Sequence, residues 1–352
     1  MQRLSRIVVL YNIDYDAAAA ADAVSVAASA QAIAEALTGA GVTAELIGLA
    51  GRDVLAVLDR VRAAAPDLVF NLCESLAGDA RHEPTLVGLL ELFELPYTGT
   101  DLLGLASCLH KQRAKDILIA RGVPTPPHRY LADLDALNDP ELDALDYPWF
   151  VKLAHEDASI GITEANRVTS AAELRDRSRA LMAEYRQAVL AERYVDGREL
   201  NVTLIGNGDE LTMLPLHEID FAAMPAGRPK IVSYAAKWDE HHVDYAGTKP
   251  VPVHDASPAL VAEVERVART AWAALGLRDY GRIDVRIDAA GQPWVIDVNP
   301  NPDISPDAGV TRAARLAGIS YPKLIVRLAE FAHRRIVRRA GTEPSPERAT
   351  SS

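Results

Sequence analysis

Residues 281–303 constrain the fold of this chain more than any other stretch, because they read as two short strands joined by a turn. From 282 to 287, arginine, aspartate and arginine alternate with isoleucine, valine and isoleucine, which gives one charged and one apolar face. The hairpin register would bring Asp297 and Asn299 of the second strand close to Asp284. Two carboxylates and an amide oxygen on one face suit a hard cation such as Mg²⁺, and a half-exposed hairpin with incidental surface acids is the alternative.

Composition and charge limit the possible classes of partner. The 352 residues fit two or three packed subdomains, with ample material for a core. The chain carries 37 basic and 49 acidic residues, and the net charge of -12 argues against unassisted binding to nucleic acid or to anionic membranes. We therefore expect neither nucleic acid nor a membrane as a partner.

The cysteines and the N-terminus exclude further classes. Cys73 and Cys108 are widely separated and lack CxxC or histidine spacing, so neither a disulfide framework nor a zinc site is expected. Polar residues interrupt the longest apolar stretch, residues 17–36, and no secretion signal is recognisable. A cytoplasmic location is expected.

The N-terminal part of the chain alternates strand and helix patterns. Strand signals at residues 6–10, 44–49 and 67–71 are separated by an alanine-rich helix and by a helix at 53–65. This β-α-β-α-β order is typical of a parallel sheet with covering helices, in which ligands bind at the carboxyl ends of strands. Candidate substrate contacts there are Asn12, Asp14, Tyr15, Asn71 and Glu74, although ordinary turn polarity explains each of them equally well. No GxGxxG follows the first strand, so the usual dinucleotide fold is not expected.

A proline-rich connector at residues 123–127 cannot continue a helix and marks a subdomain boundary. An α+β pattern follows it. The elements predicted there are strands at 149–153 and 189–195, a helix at 171–187, a strand-rich stretch at 199–219, an irregular stretch at 237–247, and helices at 258–275, 310–317 and 321–334.

Several motifs occur in one order along the chain. They are LLELFELPYTGT at 89–100 with the following Lys111, VKLAHEDASIGIT at 151–163, AERYVDGREL at 191–200, Lys237, and GRIDV with VIDVNPNP in the hairpin. Together they resemble the ATP-grasp superfamily, and specifically its D-alanine:D-alanine ligase-like branch. The resemblance implies an α/β fold class, namely an ATP-grasp fold with an N-terminal parallel α/β subdomain.

The implied subdomains follow the order of the motifs. Residues 1–106 would form the N-terminal α/β unit on the substrate side, and residues 107–198 the central ATP-grasp unit. Residues 199–336 would form the C-terminal catalytic unit. The tail, residues 337–352, is rich in Gly, Pro, Ser, Thr and Glu and is expected to be disordered.

The resemblance assigns several residues to the phosphates of ATP. Lys111 and Lys152 would contact the phosphates, since a lysine ammonium is a compact charge suited to that task. The loop 155–161, which contains Ser159, resembles the flexible loop that closes over the triphosphate. Lys237 is similar to the family lysine that reaches the γ-phosphate. Solvated lysines are the alternative reading for Lys111 and Lys237.

A second set is assigned to the nucleoside. Glu192 resembles the residue that accepts from the adenine amino group, and the backbone of Tyr194 or Val195 would pair with the ring edge. Glu199 resembles the ribose anchor. The alternative is that Glu192 and Glu199 are merely the outward residues of strands.

The hairpin residues acquire roles from the same resemblance. Asp284, Asp297 and Asn299 are similar to the ligands of two Mg²⁺ ions. Arg282 would lie against the transferred phosphoryl group and the oxyanion of the tetrahedral intermediate, where fixed positive charge lowers the barrier most. The implied reaction is attack of a substrate carboxylate on the γ-phosphate of ATP, followed by attack of an amine on the acyl phosphate. No Ser-His-Asp or Cys-His arrangement suggests a protein nucleophile.

The chain departs from the family where substrates are recognised. A glutamate, a serine and a tyrosine that hold the first alanine and the closed lid align with Ala23, Ala158 and Trp238. The serine that receives the second alanine's carboxylate aligns with Ala308, in the acidic loop 302–309. Loss of such polar partners changes specificity more than it changes the ATP chemistry.

We therefore predict an ATP-dependent carboxylate–amine ligase whose substrates are small amino-acid-like molecules other than two D-alanines. Addition of an amino acid to a mycosporine-type scaffold is one role suggested by analogy. The alternatives are a true cell-wall D-alanine:D-alanine ligase and a catalytically silent ATP-binding regulator or scaffold. The substrate-side candidates are Asn12, Glu74, Trp238, Asp303 and Ser305. Relatives of this type are commonly homodimers, so a homodimer is expected.

Overall fold

The computed structural model describes residues 4–13, 20–51, 53–156 and 159–342, without the side chains of 20–25 and 338–342. The strands are β1 (Arg6–Asn12), β2 (Thr43–Leu49), β3 (Leu68–Asn71), β4 (His128–Leu131), β5 (Trp149–Leu153), β6 (Arg167–Val168), β7 (Val189–Arg193), β8 (Arg198–Ile205), β9 (Thr212–Met213), β10 (His217–Asp220), β11 (Lys249–Pro252), β12 (Tyr280–Ile287) and β13 (Pro293–Asn299). The helices are α1 (Ala20–Gly39), α2 (Val54–Ala63), α3 (Glu83–Leu92), α4 (Leu102–Leu109), α5 (Lys111–Ala120), α6 (Ala171–Tyr185), α7 (Tyr234–Trp238), α8 (Val243–Ala246), α9 (Pro258–Leu275), α10 (Gly309–Leu316) and α11 (Tyr321–Thr342).

The N-terminal sheet is parallel, with strand order β2-β1-β3. Because parallel strands are covered on both faces, the central strand is a continuous apolar run, and residues 7–10 are fully buried. Helices α1 and α11 pack on one face, and α2 and α3 pack on the other. The predicted β-α-β-α-β series is confirmed.

The second sheet has the order β11-β10-β8-β12-β13, with β9 beside β8, and all of its pairs are antiparallel. Helix α9 covers its apolar face. Ser257 caps the start of α9 by accepting from the Leu260 amide at 3.2 Å, Pro258 occupies the first turn, and Gly276 ends the helix in a left-handed conformation. This helix fixes β12 and β13 with their polar face turned away from the core.

The third sheet, β4-β7-β5-β6, is antiparallel and packs on α6. Its β5 and β7 face β8, β12 and β13 of the second sheet across a cavity. The α/β fold class with an N-terminal parallel subdomain is as predicted, and the structure adds that the two further sheets are antiparallel.

Some element bounds differ from the sequence prediction. Residues 237–247, predicted as irregular, carry the end of α7 and all of α8. Helix α6 ends at Tyr185 rather than at residue 187, because Arg186 adopts a left-handed conformation with φ of 53°. Helix α11 continues to Thr342, beyond the predicted start of the tail at 337. Residues 343–352 lie outside the described chain.

The predicted subdomain boundaries stay a prediction. The first boundary, after residue 106, falls within α4, and the second, after residue 198, falls at the first residue of β8. Among the described residues, no helix has the length and apolar character needed to span a membrane.

Candidate active site

A cavity of about 520 Å³ lies between the second and third sheets. Every residue that the sequence assigned to ATP, to metal or to catalysis lines it. They are Lys111, Lys152, Ser159, Glu192, Tyr194, Val195, Glu199, Lys237, Arg282, Asp284, Asp297 and Asn299. The structure therefore brings together residues that are up to 188 positions apart in the chain, from 111 to 299.

The register of the β12–β13 hairpin sets the acidic end of the cavity. Asp284 lies opposite Asp297 and Arg282 lies opposite Asn299, so all four side chains occupy one face. The register shifts between Asp284 and Val285, which leaves Ile296 as the extra residue of a β-bulge. The carbonyl of Ile296 accepts from Lys152 Nζ at 2.9 Å. The bulge thus ties β5 to the hairpin.

Asp284 is held by three donors. Arg282 binds both carboxylate oxygens through Nε and Nη2, at 2.8 and 2.9 Å. Asn201 Nδ2 donates at 2.8 Å from β8, and Asn299 Nδ2 donates at 3.1 Å from β13. Burial by itself lowers the pKa of Arg282, but the Asp284 carboxylate more than offsets this, so the pKa is raised and the guanidinium stays charged.

Asp297 lies among lysines. Lys111 Nζ is 3.8 Å from its Oδ1. Burial would raise the pKa of Asp297, but the positive charges of Lys111, Lys152 and Lys115 outweigh it, and the pKa is lowered. The carboxylate therefore stays ionised well below neutral pH.

The donor set fits Mg²⁺ better than it fits a transition metal. Asp284 and Asp297 supply carboxylates, and Asn299 directs its amide nitrogen at Asp284. Within the described ranges no cluster of three or more His, Cys, Asp and Glu side chains is placed to hold a metal. Mg²⁺ is usually bound through one or two carboxylates plus phosphates and water, so this pair matches its needs only when a phosphate is present.

A buried ion triad, which sequence reasoning missed, lies beside the cavity, and two of its members, Glu192 and Lys152, line the cavity. Glu192 lies between Lys115 Nζ at 2.6 Å and Lys152 Nζ at 2.9 Å. Lys115 also donates to Thr125 Oγ1 at 2.7 Å, and that hydroxyl donates to the Val295 carbonyl. Burial would raise the pKa of Glu192, but the two ammonium groups lower it. The signal in the sequence was the spacing of Lys111 and Lys115, which places both on one face of α5.

Both carboxylate oxygens of Glu192 thus contact lysines, whereas the resemblance assigns this residue to an adenine amino group. One oxygen can accept more than one hydrogen bond, so the two roles are compatible. The assignment to adenine stays a prediction.

Arg286 is the second residue that sequence reasoning did not place in the site. Its guanidinium binds Glu199 Oε2 through Nε at 3.0 Å and Nη2 at 2.6 Å, and it donates to the Val195 carbonyl at 3.2 Å. The Arg286 guanidinium also lies over the rings of Tyr194 and Phe221. Its position on the charged face of β12, two residues after Asp284, was the available signal. Arg286 fixes the carboxylate that the resemblance assigns to ribose.

Glu156 and Ser159, from the loop at 155–161, line one side of the cavity together with Ile160 and Ile162. Ser159 has a left-handed conformation with φ of 63°. The carbonyl of Ile162 accepts from the Tyr234 amide at 3.0 Å, which links this loop to α7, the helix that carries Lys237. His155 Nδ1 lies 2.9 Å from His110 Nδ1, next to Lys111.

The five substrate-side candidates do not line this cavity. The Asn12 amide donates to the Ser75 carbonyl at 2.9 Å and accepts from the Glu74 amide at 3.0 Å, so it holds the loop after β3. Glu74 itself is exposed. Asp303 and Ser305 bond to each other, with the Ser305 amide 2.8 Å from Asp303 Oδ1.

Two positions that depart from the family, Trp238 and Ala308, lie at helix ends. Trp238 is 46% exposed and packs against Tyr234. Ala308 is buried as the N-cap residue of α10. Asp14, Tyr15, Ala158 and the side chain of Ala23 lie outside the described residues.

Comparison with known proteins agrees with this geometry. The family description "D-ala D-ala ligase C-terminus" matches residues 117–330. The D-alanine–D-alanine ligase of Bordetella avium is 31% identical over 299 residues, which is 85% of this chain and 87% of the relative. That of Chromohalobacter salexigens is 33% identical over 86% of this chain and 88% of the relative. The chain belongs to the D-alanine–D-alanine ligase family.

Solved structures support the fold of this family member. The D-alanine–D-alanine ligase of Bacillus anthracis, solved in complex with ATP, matches with a TM-score of 0.74 at 22% identity, over 96% of this chain and 99% of that one. An uncharacterised protein of Sinorhizobium fredii, y4sG, is 32% identical over 78% of this chain and 76% of its own length. The family assignment makes the chain an ATP-dependent ligase that forms C–N bonds.

Proposed function

We propose that this ligase joins a small carboxylate substrate to an amine through an acyl phosphate, and that the substrate pair is not two D-alanines. One observation carries the ligase chemistry. Arg282, Asp284, Asp297 and Asn299 share one face of a hairpin at the end of a cavity that Lys111 and Lys152 also line. That face combines fixed positive charge with oxygen ligands, as phosphoryl transfer from a metal-bound nucleotide requires.

The nucleoside of ATP would occupy the part of the cavity lined by Tyr194, Val195 and Glu199, with its phosphates directed toward the hairpin. The Bacillus anthracis relative was solved with ATP. In this chain Glu199, fixed by Arg286, would accept from the ribose hydroxyls, and the backbone at Tyr194 and Val195 would face the adenine edge. Lys152, held by Glu192 and by the Ile296 carbonyl, would direct its ammonium at the phosphates.

Two Mg²⁺ ions would be held by Asp284, Asp297 and Asn299. When bound, the metal supplies positive charge to the phosphate oxygens and aligns them for in-line attack. Asp297 is suited to this task because its pKa is lowered and it is ionised at neutral pH. Lys111, 3.8 Å from Asp297, would act on the same phosphates.

Arg282 acts at the reacting centre. Its guanidinium is charged and is fixed in plane by two hydrogen bonds to Asp284. It would face first the transferring phosphoryl group and then the oxyanion that forms when the amine attacks the acyl phosphate. A preorganised donor of this kind contributes on the order of 10²–10³ in rate.

The choice of substrate rests on the positions that depart from the family. Ala308 offers only a methyl group where the family has a serine hydroxyl. Trp238 offers an indole N–H, which donates but cannot accept, where the family has a tyrosine hydroxyl, so the bonds that hold two D-alanines are not reproduced. The second candidate is a true D-alanine–D-alanine ligase, because the Bordetella avium and Chromohalobacter salexigens relatives carry that name. A silent nucleotide-binding scaffold is disfavoured, since Arg282 and its partner Asp284 are both present. Homodimer formation and a cytoplasmic location stay predictions.

ADP release with mass detection of the amide distinguishes these functions. The protein is incubated with ATP, Mg²⁺ and panels of D-amino acids, L-amino acids and small carboxylates. We expect ADP and an amide product with a pair other than two D-alanines. Strong turnover with D-alanine alone would establish the second candidate, and ATP binding without ADP release from any pair would establish the scaffold.

A further inference from the structure

Arg312 lines the same cavity as Arg282, and neither the motifs nor the proposed ATP chemistry use it. It lies in the first turn of α10, four residues after the N-cap Ala308. The Arg312 amide donates to the Ala308 carbonyl at 2.9 Å, which fixes Arg312 in the first helical turn after the loop 302–309. Arg312 thus adds a second guanidinium, near that of Arg282, to the wall of the cavity.

The guanidinium of Arg312 is incompletely satisfied. Its Nη1 donates to the backbone carbonyl of Asp307. Its Nε is buried and has no hydrogen-bond partner among the described residues. A buried donor without a partner carries a free-energy cost, so the guanidinium is not fully satisfied by the protein alone.

The charges around Arg312 favour an anion. Burial and the nearby charge of Arg282 both lower the pKa of Arg312, and the carboxylates of Asp303 and Asp307 offset only part of this. Asp303 and Asp307 are both exposed, so water screens them. The guanidinium of Arg282 is paired with the carboxylate of Asp284, whereas the guanidinium of Arg312 has a neutral backbone carbonyl as its hydrogen-bond partner.

We infer that Arg312 binds the free carboxylate of the amine substrate, so that the acceptor is an amino acid rather than a simple amine. This inference rests on the proposed ligase function. The donor carboxylate is consumed when it becomes the acyl phosphate at Arg282. A second carboxylate persists through the reaction, and the planar guanidinium of Arg312, which lines the cavity, is the kind of side chain best suited to hold it.

The acceptor's α-amino group would then be placed toward Arg282 and the acyl phosphate. Its lone pair attacks the carbonyl carbon, the C–N bond forms, the C–O bond to phosphate breaks, and the ammonium proton is released to solvent. Arg312 takes no part in these bond changes. It is a residue that determines specificity by fixing one end of the acceptor.

The test uses Arg312→Gln and a matched control, Arg315→Gln. Arg315 lies on the same helix and also donates to a carbonyl of the same loop, that of Pro306 at 3.1 Å, but it is exposed and does not line the cavity. Each variant is assayed with alanine and with alaninamide of the same chirality as acceptors. The two acceptors differ at the group that Arg312 would bind, which is a carboxylate in alanine and a neutral amide in alaninamide.

With alanine, Arg312→Gln is expected to lose between about 10-fold and 100-fold in kcat/KM for the acceptor, mostly through KM. With alaninamide it should lose less than about threefold, and Arg312→Lys should recover part of the loss with alanine. Arg315→Gln should behave as wild type with both acceptors. Equal losses of Arg312→Gln with both acceptors, or the same loss in Arg315→Gln, would show that Arg312 only supports the loop and would overturn the inference.

A binding measurement separates failure of this inference from failure of the ligase function. Calorimetry follows alanine and alaninamide binding to the protein loaded with a non-hydrolysable ATP analogue and Mg²⁺. Wild type should bind alanine at least about tenfold more tightly than alaninamide, and Arg312→Gln should remove the difference. No preference for alanine in wild type overturns the inference, whether or not any substrate pair releases ADP.

Discussion

The guanidinium of Arg282 and the carboxylate of Asp284 form a two-bond ion pair between residues on the same face of one strand, at 2.8 and 2.9 Å. Asn201 and Asn299 donate to the same carboxylate from the two neighbouring strands. Three adjacent strands therefore fix one carboxylate and, through it, one arginine. The geometry is set by backbone pairing, so the arginine needs little reorganisation when charge develops in front of it.

Arg282→Gln is expected to reduce ADP release by about 10²–10³, because the donor at the developing oxyanion is lost. ATP binding, followed by calorimetry, should change little, since Arg282 lies at the hairpin and not at the nucleoside. Arg129→Gln, on the outer strand β4, serves as the control and should leave both properties unchanged. An Arg282→Gln enzyme with wild-type turnover would remove this residue from the mechanism.

Lys115→Met is expected to reduce the free energy of unfolding by about 3–5 kcal/mol, because it leaves Glu192 with one partner in a buried site. The measurement is urea denaturation. The exposed Lys323 of α11 provides the control, and Lys323→Met should change the stability by less than about 0.5 kcal/mol. The double variant Lys115→Met, Glu192→Gln should be less destabilised than the sum of its single variants, since the two residues interact directly. Additive effects would mean that the pair carries no coupling.

Gly197→Ala is expected to disrupt the turn between β7 and β8. Gly197 has φ of 152°, and a Cβ there would lie 1.9 Å from the carbonyl oxygen of Ile287. The clash with backbone should cost about 1–3 kcal/mol beyond the conformational strain. Gly276→Ala is the matched control, because its φ is 69° and its surroundings are open, so only the strain of about 1 kcal/mol applies. Equal thermal shifts in the two variants would contradict this account.

His155 makes the fold sensitive to acid. Burial lowers its pKa from 6.5 to about 4, and the charges of His110 and Lys111 act in the same direction. Between these two values the unfolded chain binds a proton that the folded chain does not, so the free energy of unfolding falls as the pH drops from 6.5 to 4. His155→Gln removes this contribution and should lose less stability over that range, measured by thermal unfolding against pH. His241→Gln, at an exposed position, should follow the wild-type curve; a His155→Gln curve parallel to wild type would argue against this role.

Metal removal tests the hairpin directly. EDTA should abolish ADP release, and Mg²⁺ should restore it. Asp297→Asn should raise the Mg²⁺ concentration for half-maximal activity on the order of tenfold or more, because one carboxylate ligand is lost. Glu210→Gln, remote from the cavity, should leave that concentration unchanged. Metal-independent ADP release would contradict the proposed role of Asp284 and Asp297.

The β12–β13 hairpin shows which structural features a local sequence pattern predicts and which it does not. The alternation at 282–287 predicted correctly that one face is apolar and buried, and the hairpin predicted that Asp297 and Asn299 lie close to Asp284. The pattern did not reveal the bulge at Ile296, because a bulge changes the pairing of two strands without changing the composition of either. The carbonyl that it frees for Lys152 therefore appeared only in the folded chain.

The residues that the sequence analysis did not place in the site are mainly those that act through partners distant in the chain. Lys115, Arg286 and Arg312 carry no motif, and each owes its position to a partner distant in sequence or to a cavity wall. In the opposite direction, Asn12 looked like a ligand contact at a strand end but is engaged with the backbone of the loop after β3. The polarity of a turn alone does not distinguish a residue that contacts a ligand from one that holds a neighbouring loop.

The sequence by itself indicated the family and most of the order of strands and helices, and it supplied the residues proposed for the ATP chemistry, because these depend on periodicity and on motifs that are local in the chain. The tertiary structure decided which charges are paired and which are left facing the cavity. That distinction depends on burial and on ion-pair partners that are far apart in the chain, such as Lys115 and Glu192. The substrate preference proposed through Arg312 belongs to this second kind, since only the fold places that guanidinium beside Arg282.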